Sequence, residues 1–137
     1  MKYSKATDYA LHTMLFLSAF PAETISVQQL AERQNVSPTY LSKILTNLVK
    51  AGMIHSITGV NGGYRLRSNW QEINFMDIIQ AIEGSSSLFD CSLNHGPCCP
   101  IQRVVLLAEE KMEEQLRSQT MSDLVRDCGS TYNRQYS

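Results

Sequence analysis

The clearest pattern of apolar and polar positions lies in residues 37–52, SPTYLSKILTNLVKAG. Leu41, Ile44, Leu45, Leu48 and Val49 recur at the spacing of one buried helical stripe. Ser37 offers a side-chain oxygen as N-cap, Pro38 suits a first helical position that needs no amide hydrogen, and Gly52 supplies the stop. Just upstream, Ser26 and Gln29 fit a capping box. It opens a shorter helix through about Arg33, with Leu30 and Ala31 facing inward, and the stretch QNV makes a tight turn between the two helices.

Before this pair, residues 3–19 place Tyr9, Leu11, Leu15 and Phe16 at largely helical spacing, and Pro21 ends the segment. After it, MIHSI and YRLR flank the loop TGVNGG, which predicts a hairpin. Asn74 is placed to cap a helix with Phe75, Ile78, Ile79 and Ile82 along it, ending at Gly84. A long helix is expected from about Ile101 to Arg117, with more apolar surface than one small domain needs on one face, so a second subunit is the natural cover. The expected fold is mostly α with a small β-hairpin: a winged helix-turn-helix domain over 1–84, a cysteine-containing loop over 85–100, and a dimerisation helix with C-terminal tail over 101–137.

The glycine-rich loop invites two readings, since glycine permits close approach to any phosphate. Phosphate loops of nucleotide enzymes open directly into a helix and place Lys with Ser or Thr after the last glycine. Here Gly63 runs into the alternating strand Tyr64-Arg65-Leu66-Arg67, so the loop reads as a wing tip laid against a duplex. The helix before it agrees. Its outer face carries Thr39, Tyr40, Ser42, Lys43, Thr46, Asn47 and Lys50 without one carboxylate, a composition suited to phosphates and base edges.

Charge sharpens that reading. The formal net charge of -1 conceals a basic stretch, with Arg33, Lys43, Lys50, Arg65 and Arg67 against the single anion Glu32 between residues 32 and 67. Residues 68–100 hold Glu72, Asp77, Glu83 and Asp90 and no Lys or Arg. A near-neutral total predicts modest non-specific affinity for a polyanion, while the local excess still attracts one. At 137 residues and 43% hydrophobic content the chain suits one globular domain. The apolar run Met14 to Phe20 is too short to span a bilayer and lacks a cleavage pattern, so a cytoplasmic protein with reduced thiols and no membrane partner is expected.

The blocks YALHTMLFLSA, ISVQQLAERQNVSPTYLSKILTNLVKAGMI, GVNGGYRL and INFMDIIQAIEG, in that order and at those spacings, resemble the bacterial Rrf-type (BadM) winged-helix transcription regulators. The likeness continues through CPIQRVVLLAEEKMEEQL into TMSDLV. It implies a homodimeric, sequence-specific regulator of double-stranded DNA, a repressor by expectation, acting on a two-fold symmetric operator. The second helix would enter the major groove and the wing the adjacent minor groove. Carried over by position, the DNA-binding candidates are Pro38, Thr39, Tyr40, Ser42, Lys43 and Thr46 on the helix and Thr58, Gly59, Asn61, Gly62 and Arg65 on the wing. One departure stands out: family wings often read Arg-Gly where this chain has Thr58-Gly59, which removes a strong minor-groove contact.

The cysteine loop is where a sensor is expected. Cluster-binding relatives space three cysteines by several residues each, whereas here Cys91 is followed by the adjacent pair Cys98 and Cys99. Adjacent side chains point apart, so both would not readily ligate one compact cluster. Three readings stay open: a thiol switch between Cys91 and Cys98 or Cys99, an iron-sulfur cluster or zinc bound with help from His95, and inert structural thiols. Cys128, His12 and His55 are read as without chemistry. No certain cofactor follows. An enzyme is not expected, because no nucleophile-base pair or paired carboxylates stand out. The serious rival is a winged-helix protein-interaction module that binds no DNA.

Overall fold

The computed structural model describes residues 3–84 and 100–127. Helix α1 (Lys5–Ala19) starts at the N-cap Ser4, whose side chain accepts from the Thr7 amide. Helix α2 (Val27–Gln34) opens on the expected capping box, with both Ser26 and Gln29 engaged, and ends at Asn35 in the left-handed conformation, φ 54°. Two residues later Ser37 accepts from the Tyr40 amide at 3.1 Å and Pro38 begins α3 (Pro38–Lys50). So tight a turn between two capped helices fixes their mutual angle. Gly52, at φ +78°, turns the chain out of α3.

Strands β1 (Ile54–Ile57) and β2 (Gly63–Leu66) form the antiparallel hairpin. Tyr64 pairs with Ile25 through two backbone hydrogen bonds of 2.8 and 3.0 Å, which ties the base of the wing to the chain just ahead of α2. A short 3-10 turn (Trp70–Glu72) leads to α4 (Phe75–Glu83), where Asn74 and Asp77 form a reciprocal capping box. Helix α5 (Pro100–Arg117) follows.

The core forms around α1. Met14 and Leu17 from α1, Leu30 from α2, Leu41, Leu45 and Leu48 from α3, Ile54 from β1, Ile78 from α4 and Met121 are all fully buried in one cluster. Residues 121–127, expected as part of a tail, are helical. Thr120 and Asp123 cap that segment reciprocally, and hydrogen bonding to the Thr120 side chain and backbone, with Arg126 nearby, holds the Asp123 carboxyl below its usual value. The Met121 amide donates to the Ile73 carbonyl at 2.9 Å and the Phe75 amide to that of Gln119 at 3.0 Å, so the chain after α5 returns to the body of the first 84 residues.

Helix α5 itself packs on α4 mainly through Leu116, against Met76 and Ile79. Among its residues only Glu109 is buried, and Ile101, Val104, Leu106, Leu107 and Met112 are exposed. No described helix is long and apolar enough to cross a membrane.

Candidate nucleic-acid interface

Because α3 sends Leu41, Ile44, Leu45 and Leu48 into the core, with Val49 half-buried against it, its other positions form one outward strip. Pro38, Thr39, Tyr40, Lys43, Thr46, Asn47 and Lys50 are exposed, and Ser42 is half-buried. Thr46 Oγ1 donates to the Ser42 carbonyl at 2.9 Å, so its proton is engaged within the helix and its oxygen is left to accept. The Tyr40 ring stands edge-on to Tyr9 of α1, centroids 5.9 Å apart at 85°.

The hairpin register sets Ile54 opposite Leu66 on the buried face and His55 opposite Arg65 on the exposed one. The Gly62 amide donates to the Gly59 carbonyl at 3.1 Å, closing a turn that carries Val60 and Asn61 outermost. Thr58, Gly59 and Asn61 are exposed, and Val60 is wholly so at 103%. The glycines have different reasons. A Cβ on Gly62 would lie 2.4 Å from the Ile57 carbonyl oxygen, and one on Gly63 2.3 Å from that of Ile25. Both are demanded by the chain's own backbone, a cause that the expectation of close approach to a duplex does not include. Gly59, at φ +104°, has nothing within 4 Å of a built Cβ and borders open space.

Between Arg33 and Glu72 the sequence holds no Asp or Glu. Lys43, Lys50, Arg65, Arg67 and His55 are exposed there, so α3 and the wing present cations and neutral polar groups with no anion of their own segment to neutralise them. Among the described residues no group of three or more His, Cys, Asp or Glu is placed to hold a metal ion. Cys91, Cys98, Cys99 and His95 lie outside the described residues.

A sequence profile of the Rrf2 family, described as iron-dependent transcriptional regulator, matches residues 3–127. The chain belongs to the Rrf2 family. It is 32% identical over 135 residues to Protein rrf2 of Nitratidesulfovibrio vulgaris, covering 93% of this chain and 89% of that protein. It is similar to the transcriptional regulator NsrR of Geobacillus kaustophilus, 34% identical over 137 residues, 95% of this chain and 93% of the other. Among solved structures, that of CymR (YrzC), the global cysteine regulator of B. subtilis, matches with a TM-score of 0.79 at 29% identity, covering 92% of this chain and 97% of that one.

The expected winged-helix fold therefore holds, and as a member of the Rrf2 family the chain is a DNA-binding transcription regulator and not an enzyme. Three residues outside the DNA-binding candidates lie beside them: Val60 in the predicted wing tip, His55 across from Arg65, and Tyr9 behind Tyr40. Val60 has a local signal, its place between Gly59 and Asn61 in a tight turn. Tyr9 has none, because its partner lies 31 residues away in the chain.

Proposed function

We propose that this regulator is a cytoplasmic homodimeric repressor which lays α3 in the major groove and the wing in the adjacent minor groove of a two-fold symmetric operator. The observation that carries the reading is the exposed strip of α3, free of carboxylates and continued by the cations of the wing. Pro38, Thr39, Tyr40 and Ser42 sit at the helix start, where the positive end of the helix dipole favours phosphate and where side chains reach base edges. Lys43 and Arg65 serve as phosphate contacts. Thr46 acts as an acceptor, and Thr58, Gly59, Asn61 and Gly62 form the tip, with Asn61 able to donate to the acceptors of A·T pairs. A second copy covers the exposed apolar face of α5 and fixes the separation of the two reading helices.

Duplex binding titrated with salt tests this. Affinity is expected to fall steeply as salt rises, and Lys43→Ala should weaken cognate and scrambled duplexes alike while reducing the slope by about 1. Binding that ignores salt, or no binding, returns the chain to the protein-interaction reading.

The signal is received at the cysteine loop. Thiols at 91, 98 and 99 with the imidazole of His95 suit either disulfide exchange or a soft metal, and the adjacency of Cys98 and Cys99 favours a thiol switch using Cys91 and one of them. Mild diamide is expected to weaken operator binding, a thiol reductant to restore it, and Cys91→Ser to abolish the response. The family profile's description as iron-dependent favours the second reading, an iron-sulfur cluster. Protein purified without air that is brown, and that loses operator binding only when its iron is removed, replaces the switch by that cluster.

A further inference from the structure

The outward strip of α3 contains one aromatic side chain, Tyr40, and α1 meets it. Tyr40 is the third residue of α3, its amide fixed by the Ser37 cap and its side chain 41% exposed. Its hydroxyl has no hydrogen-bond partner among the described residues. A tyrosine at such a helix position has two favourable χ1 wells open to it. In the structure its ring stands edge-on to that of Tyr9, at 5.9 Å and 85°.

Tyr9 itself belongs to a strip of α1 that meets the helix-turn-helix. Along successive turns of α1, Tyr9 meets Tyr40, Thr13 Oγ1 accepts from Gln34 Nε2 at 2.8 Å, and Phe16 lies under the Arg33 guanidinium at 5.5 Å. The same Thr13 hydroxyl donates to the Tyr9 carbonyl at 2.8 Å, so the two contacts share a hydrogen-bonded turn. Helix α1 thus grips the helix-turn-helix at the end of α2 and at the start of α3.

We propose that Tyr9 is a positioning residue for sequence discrimination: without touching DNA, it holds the Tyr40 phenol in the orientation that reads the operator. The inference rests on the assignment of α3 as the reading helix. It differs from a packing role because Tyr9 would set the preference between sequences, and a residue that only supports the fold would weaken all duplexes together.

The experiment measures the affinity of the full-length chain for operator and for scrambled duplex, in wild type, Tyr9→Leu, Tyr9→Phe, Tyr40→Ala and the double variant Tyr9→Leu with Tyr40→Ala. Leucine keeps an apolar side chain against the core and removes the ring. Tyr9→Leu is expected to lower operator affinity about three- to tenfold and leave scrambled duplex unchanged, whereas Tyr9→Phe, which keeps the ring edge, restores discrimination. In the Tyr40→Ala background Tyr9→Leu should have no further effect. Equal loss on both duplexes, or an undiminished effect in the Tyr40→Ala background, overturns the inference. Discrimination lost in Tyr40→Ala but intact in Tyr9→Leu overturns it alone. Discrimination intact in both overturns it together with the assignment of Tyr40 to base readout.

Discussion

Replacing Val104 and Leu107 together by glutamate is expected to leave a folded chain that is monomeric at micromolar concentration and no longer holds its operator. Val104 and Leu107 are 67% and 55% exposed on α5, with Ile101 beside them at 65%, so they contribute little to the packing of one protomer. Covering an aliphatic side chain is worth roughly 1.5–3 kcal/mol, and two-fold symmetry counts each change twice. Two glutamates per chain would add unpaired charge to the interface near Glu110, one turn beyond Leu107. A monomer also loses the linkage of two half-sites, worth a factor on the order of 10² to 10⁴ in affinity. Sedimentation and duplex binding read the two effects, and circular dichroism confirms the fold. A stable dimer in this variant would remove α5 from the interface.

The second large effect lies at Gly63. In Gly63→Ala the new Cβ would sit 2.3 Å from the Ile25 carbonyl oxygen, 2.6 Å from its carbon and 2.8 Å from Ser26 Cα, all backbone atoms, at a φ of +155°. Relief requires β2 to move away from the Ile25–Ser26 backbone, which breaks the reciprocal Ile25 and Tyr64 hydrogen bonds. Strain at such a φ together with two lost hydrogen bonds amounts to about 3 kcal/mol, or a fall in melting temperature on the order of 10 °C. Gly59→Ala supplies the contrast. Its Cβ would meet nothing, so the cost is only the strained φ of +104°, about 1 kcal/mol. Thermal melting of both variants checks the ordering, and an unchanged midpoint for Gly63→Ala would contradict the account.

What can be read from the sequence follows from where the causes lie. The starts of α2, α3 and α4 are legible because a cap is a local contract between residues three apart, and Ser26, Ser37 and Asn74 each make the bond expected of them. The outward strip of α3 is legible for the same reason, a periodicity complete within one helix. Helix α1 is harder. Packed between α4 and the helix-turn-helix, it buries Thr7, Thr13 and Ser18 along with its apolar residues, and their polar letters blur the stripe. The pairing of Ile25 with Tyr64 leaves no periodic trace, since one residue on each side suffices. Nor does a glycine reveal whether the atom it admits belongs to a ligand or to its own chain, which is why Gly62 and Gly63 read toward DNA alone in the sequence. The final helical segment has a visible signal in Thr120 and Asp123, obscured by its position after a long helix.

The carboxylate of Glu83, the last residue of α4, accepts from the Ser4 amide at 2.7 Å and from the buried Thr7 hydroxyl at 2.6 Å. This clasp sits one residue before Gly84, where the chain departs toward the cysteines, and it grips the first turn of α1. In mechanical terms α1 is a crankshaft of 15 residues, about 22 Å long. One bearing is Glu83; the others are Tyr40, Gln34 and Arg33. A displacement at residue 84 would therefore meet α1 through Glu83 first, and α1 in turn meets the helix-turn-helix through Tyr9, Thr13 and Phe16.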